Sequence, residues 1–209
     1  MHDARAARTG RSALEAARRE MNWKNTTERY GTLSMGMHWA MLLLLIAVYA
    51  LINVREFYPR GSELREALKM WHFMLGLGIF ALVFARLAIR IAGPTPRIVP
   101  EVRAWQGRLA ALVHVALYVF MVAMPLLGWL TLSAMGKPIP FFGLELPPLL
   151  GKDESFADQL KEIHETIGTL GYYLIGLHAA AALFHHYALR DNTLLRMLPQ
   201  ARRHKSGRG

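Results

Sequence analysis

Four stretches of the chain are apolar almost without interruption: roughly Leu33 to Val54, Met70 to Ala92, Leu109 to Leu132 and Thr166 to Leu189. Each reaches the roughly 20 residues that a helix needs to cross a bilayer's hydrocarbon core. Helices on the surface of a soluble protein carry a polar stripe, yet Trp39 to Ile52 holds no strongly polar residue. Charge inside the stretches is confined to Arg86 and Arg90, near the end of the second, where long side chains can reach lipid headgroups. The pattern predicts an all-α fold, a transmembrane four-helix bundle. Gly93, Pro94, Thr95 and Pro96 should end the second helix, and Pro125 should kink the third. Trp39, Trp71, Trp129 and Tyr187 stand near the ends of the stretches, as residues of an interfacial aromatic belt do. The segment from Ser133 to Glu162 is long for a connection, holds Pro138, Pro140, Pro147 and Pro148, and is expected to cover one end of the bundle.

Charge sets the expected orientation. Lys and Arg number 25 against 15 Asp and Glu, a net +10 that by itself would suggest nucleic acid. The placement argues otherwise: 7 basic residues precede the first stretch, 5 lie between or flank the second and third, 6 follow the fourth, and only 7 fall on the other side. This bias puts both termini in the cytoplasm, consistent with an even number of crossings. No recognition motif for nucleic acid accompanies the charge, so no nucleic-acid partner is expected and membrane lipid surrounds the chain. The organisation expected is a basic cytoplasmic extension over residues 1–28, a four-helix unit over 29–199 and a basic tail over 200–209. Met21 offers a second possible start within the extension, which could itself form a surface helix. The first crossing ends in Asn53, Val54, Arg55 and Glu56 rather than a small-residue cleavage site, and is expected to be retained.

The chain has no cysteine, which excludes thiolate-held iron–sulfur clusters, thioether-attached haem and disulfides. It does have histidines where histidines are costly. His164 and His178 stand fourteen residues apart in the otherwise apolar run from Ile163 to Leu189, while His38 and His72 stand near the heads of the first and second stretches. Fourteen residues return a helix to within about 40° of its starting direction and advance it about 21 Å. One helix thus offers two imidazoles on one face at two depths. Imidazole buried in hydrocarbon needs something to take its polar nitrogen, and iron does so. With the helices alternating in direction, depth pairs His72 with His164 at an outer level and His38 with His178 at an inner one. Two b-type haems, noncovalent and each held by two histidines, fit this pattern, and iron with no open position suits electron transfer. Gly168 and Gly171 lie on the same face of the fourth helix between its histidines, and Gly76 follows His72 by one turn, giving relief for a flat ring or for close helix packing. Arg86, fourteen residues past His72, is a candidate partner for a haem propionate, with headgroup contact as the competing role. His114, one turn before Tyr118, is a candidate alternative ligand or proton donor to a quinone. His185 and His186 fall where interfacial water can hydrate them.

The run His164, Glu165, Thr166 through Gly171, Tyr172, then Ile175, Gly176, Leu177, His178, Ala179, Ala180, Ala181, Ala182, Leu183, His185, His186, Tyr187, with Asp191, Asn192, Thr193, Leu194, Leu195, Arg196 after it and His38, Trp39 before, closely resembles the bacterial cytochrome b561 family. The similarity extends from about Tyr30 to Pro199. It implies an inner-membrane dihaem cytochrome whose metal ligands are His38, His72, His164 and His178. Some family members are superoxide oxidases that pass an electron from periplasmic superoxide through the haems to ubiquinone, so the resemblance also implies ubiquinone as acceptor and superoxide or another periplasmic donor as partner. Arg55, Arg60, Arg65, Lys69 and Lys137 could steer an anion at the outer mouth, although Ser133 to Glu162 holds 3 basic and 5 acidic residues and opposes general steering. Two other functions compete. A noncatalytic cytochrome subunit would anchor a peripheral dehydrogenase or hydrogenase, whereas a histidine proton-relay transporter lacks the internal repeat and broken helices expected of it.

Overall fold

The computed structural model describes residues 23–199, so residues 1–22 of the N-terminal extension, Met21 among them, and the basic tail lie outside it. Four helices follow one another: α1 (Thr32–Val54), α2 (Glu63–Ile91), α3 (Ala104–Ala134) and α4 (Glu154–Tyr187). All four are long and apolar enough to cross a membrane. Leu43, Leu112 and Tyr173 remain 65–73% exposed along their flanks, a surface that suits lipid as solvent and would be costly in water. The fold is the all-α bundle expected.

α2 and α4 begin well before their apolar stretches. Ser62 accepts a hydrogen bond from the Arg65 amide, and Asp153 accepts one from the Phe156 amide, so each helix is capped by an oxygen side chain. Glu63, Glu66 and Glu154 follow in the first turns, where the helix dipole favours negative charge. These signals carry both helices past the hydrocarbon into water. α2 ends at Ile91, just before Gly93 and Pro94, as the breaker sequence requires. Pro125 lies inside α3 without ending it.

The closest helix approaches are α1 with α2, α3 with α4, and α2 with α3. Met41, Ile79, Val83, Phe120 and Met121 form a buried cluster among α1, α2 and α3, with Ile167, Leu174 and Ile175 of α4 packed against it. The segment after α3 is not plain loop. It forms a two-stranded antiparallel ribbon, β1 (Ile139–Phe141) and β2 (Leu144–Leu146), with Ile139 buried against Leu77 of α2 and Leu132 of α3. Trp129 donates its indole N–H to the Pro147 carbonyl at 3.0 Å, and Ser133 Oγ accepts from the Leu149 amide at 3.1 Å.

The opposite end of the bundle is knitted by three chain segments. The Arg97 amide donates to the Thr27 carbonyl, the Val99 amide donates to Asn192 Oδ1, and the Arg196 guanidinium donates to the Pro96 carbonyl. Trp39 donates its indole N–H to the Met197 carbonyl at 2.8 Å, so this ring ties α1 to the segment after α4 in addition to any interfacial duty.

Candidate functional site

Each histidine on α4 meets a ring from a different helix. His164 faces His72 of α2 with ring centroids 6.4 Å apart and planes at 72°. His178 faces His38 of α1 at 6.3 Å and 73°. The two pairs therefore lie in two tiers, separated along α4 by about 21 Å. Two metal–imidazole bonds of about 2.0 Å each, plus the reach from each ring centre to its nitrogen, span roughly 6.3 Å. Both gaps thus match a single metal atom between two imidazoles. His114 of α3 also approaches His178, but at 5.2 Å, too close for the same bridge.

Hydrogen bonds set the ring orientation. His72 donates Nδ1–H to the Val48 carbonyl of α1 at 2.9 Å, which leaves its Nε2 lone pair for another partner. His114 donates Nδ1–H to the Ala110 carbonyl at 2.6 Å, one turn back on its own helix. His164 Nδ1 is buried without a closed hydrogen bond, and a Cβ on Gly128 would stand 3.5 Å from the His164 ring. The His164 ring thus lies beside α3 at Gly128, at a distance that a side-chain methyl would meet as an ordinary contact. Among the described residues no group of three or more His, Cys, Asp or Glu could hold a metal ion. Facing pairs without a third protein ligand suit a metal that brings its own equatorial ligands, as a porphyrin does.

Arg86 is half-buried, donates to the Ser34 carbonyl at 3.4 Å, and lies within electrostatic reach of His38, His178 and His114. Its charge belongs to the His38 tier. At Gly171 the close-packing alternative holds. A Cβ at Gly171 would come within 2.3 Å of Tyr49 Oη and 2.4 Å of Phe120 Cζ, so rings from α1 and α3 already fill that face midway between the tiers. Tyr49 also donates to the Gly168 carbonyl at 2.7 Å. Gly76 and Gly36, by contrast, face open space.

Several contacts were not foreseen from the sequence. His185 Nδ1 and Asp191 Oδ2 lie 2.5 Å apart, and Asp191 is only 4% exposed. Burial raises the Asp191 pKa, but hydrogen bonds from His185 and from Thr193 outweigh it and leave the carboxyl below its ordinary value. An acid six residues beyond an interfacial histidine was the only signal available. His186 packs on Tyr187 and keeps a buried Nδ1 with no hydrogen-bond partner.

Residues 29–200 match the family described as prokaryotic cytochrome b561. The chain belongs to that family. It is 38% identical over 172 residues to cytochrome b561 homolog 1 of Escherichia coli (strain K12), covering 82% of this chain and 98% of the relative. It is 39% identical over 175 residues to the probable superoxide oxidase CybB of Yersinia pestis, covering 84% and 98%. Cytochrome b561 homolog 2 of Escherichia coli is 30% identical over 186 residues, covering 85% and 95%. As a prokaryotic cytochrome b561, the chain is a haem-carrying cytochrome b of membrane electron transport. The ring separations of the two facing imidazole pairs are of the size that an iron held between them would need.

Proposed function

We propose that this cytochrome carries electrons across the bacterial inner membrane, from superoxide or another donor on the periplasmic side to ubiquinone. The observation that supports it is the pair of facing imidazoles at each of two depths, 6.4 and 6.3 Å between ring centres. In this reading His72 and His164 hold an outer haem, His38 and His178 hold an inner one, and both termini lie in the cytoplasm. Bound haem would supply a one-electron ferric–ferrous couple at each tier. The Val48 carbonyl fixes the His72 ring so that Nε2 presents to the iron. Arg86 offers its guanidinium to an inner propionate. Two superoxide anions would give two dioxygen molecules and two electrons, which with two protons convert one ubiquinone to ubiquinol. The similarity to a protein named as a probable superoxide oxidase favours superoxide as donor. Steering of that anion would fall less to Arg55, Arg65 and Lys69 than their charge suggests, because they already pair with Glu56 and Glu66.

The test uses the purified full chain in detergent. Two haems per chain, fast haem reduction by a superoxide pulse and reoxidation by a short-chain ubiquinone are expected. A chain that holds one haem or none overturns the dihaem reading. Intact haems that superoxide does not reduce, in a preparation that carries a peripheral redox protein, would assign the chain to a subunit of a larger dehydrogenase or hydrogenase.

A further inference from the structure

The ribbon formed by β1 and β2 sits beside the bundle at the level of the His72–His164 tier. Ile139 packs on Leu77, which is five residues beyond His72 on α2 and therefore about 7.5 Å further along that helix. The tip returns toward the start of α2, where the Phe142 ring meets Trp71 with centroids 6.5 Å apart. Trp129 holds the far end through Pro147. An indole on either side thus brackets the ribbon at the depth where interfacial aromatics stand.

The ribbon's tip, rather than its outer face, is the reverse of what water selects. Phe142 is 56% exposed and Leu144 67%, and Leu149 is exposed just beyond. The two-residue turn takes positive φ at both positions, 46° at Phe142 and 87° at Gly143, the conformation for which Asn, Asp or Gly is preferred first. A phenylalanine there accepts backbone strain in order to stand at the tip.

The backbone points the same way. In this register Phe141 and Leu144 close the turn with ladder hydrogen bonds, Pro140 and Glu145 turn their backbone groups outward, Ile139 and Leu146 bond again, and Pro138 and Pro147 continue the outward row. Pro138 and Pro140 on the β1 edge have no N–H to leave unpaired, and on the β2 edge the Pro147 carbonyl is taken by the Trp129 indole. An open strand edge is disfavoured in lipid because its donors and acceptors go unsatisfied, and here the β1 edge presents carbonyls but no proline N–H. Glu145 is exposed on the ribbon face turned away from the bundle, opposite the face that carries Ile139, Phe141, Leu144 and Leu146.

We infer that this ribbon is a lipid-facing anchor: Phe142 and Leu144 insert into the outer leaflet beside the His72–His164 tier and fix the height of that tier relative to the membrane surface. Edge prolines would also suit a ribbon in water, where they block strand-to-strand pairing, but such a ribbon would carry a polar tip.

The absence of native cysteine makes the test direct. Phe142→Cys carries a nitroxide in the haem-loaded full chain within phospholipid nanodiscs, and its collision rates with oxygen and with a water-soluble nickel chelate are measured. Leu170→Cys on the exposed flank of α4 serves as the lipid reference and Glu154→Cys as the aqueous one. The expected result is a nickel collision rate at Phe142→Cys several-fold below that at Glu154→Cys, with oxygen collisions near those at Leu170→Cys. Equal nickel access at Phe142→Cys and Glu154→Cys would overturn the anchor. Dipolar broadening that grows when two chains share a disc would overturn it in favour of contact between copies. Leu144→Cys reads the same question from the other strand should Phe142→Cys fail to fold.

Discussion

A single ring turned toward a single backbone carbonyl does much at the His72 tier. The Nδ1–H of His72 is committed to Val48, and the His72 Nε2 lone pair is left without competition. Removing an imidazole from either tier should therefore empty that tier and spare the other. His72→Ala and His164→Ala should each lose one haem of two, and the lost component should be the same in both, read by reduced-minus-oxidised spectra and haem-to-protein ratio. His38→Ala and His178→Ala should lose the other component. Loss of one common component from His72→Ala and His178→Ala would contradict the pairing by depth. Midway between the tiers, Gly171 is the residue that admits Tyr49 and Phe120. Gly171→Ala should destabilise the bundle by about 1–3 kcal/mol through overpacking, measured as a lower unfolding midpoint in detergent. An unchanged midpoint would mean that those rings shift at little cost. The pairs of histidines were legible in the sequence because helix period and alternation of direction both constrain them. The filling at Gly171 was not, since small residues read alike whether they admit a cofactor or a neighbour's ring.

At the scale of elements, hydropathy located the membrane and capping located the helices, and the two differ at α2 and α4. Apolar runs beginning at Met70 and Thr166 could not reveal helices beginning at Glu63 and Glu154, because Ser62 and Asp153 act in water. The ribbon escaped notice for another reason: three-residue strands broken by proline carry too short an alternation to stand out from loop. The junction after α4 depends on Asp191, whose carboxylate accepts from the Thr193 amide at 2.8 Å and faces His185. Its pKa lies below the usual carboxylate value in the folded state, so its contribution is present above the unfolded value of about 3.8 and is lost as pH falls through the lower folded one. Asp191→Asn should cost about 1–3 kcal/mol near neutral pH. That difference from the parent chain should shrink as unfolding is followed below pH 4, and a gap that stays constant would show that charge is not involved.

The whole molecule is a bundle whose charge is distributed by side rather than by helix. If the bias of 18 basic residues against 7 governs insertion, a fluorescent protein fused to either terminus should fold in the cytoplasm and glow, and alkaline phosphatase fused at either terminus should stay inactive. Phosphatase activity from one terminus alone would require an odd number of crossings and would break the match of His72 with His164 by depth.

Both facing pairs take one member from α4, the last of the four helices to leave the ribosome. Neither grip can close before α4 has been made, and until then α1, α2 and α3 hold single imidazoles with no opposing jaw. If the two pairs hold the haems as proposed, pigmentation of this chain follows the insertion of α4. A ribosome stalled before codon 164 would leave a colourless protein in the membrane.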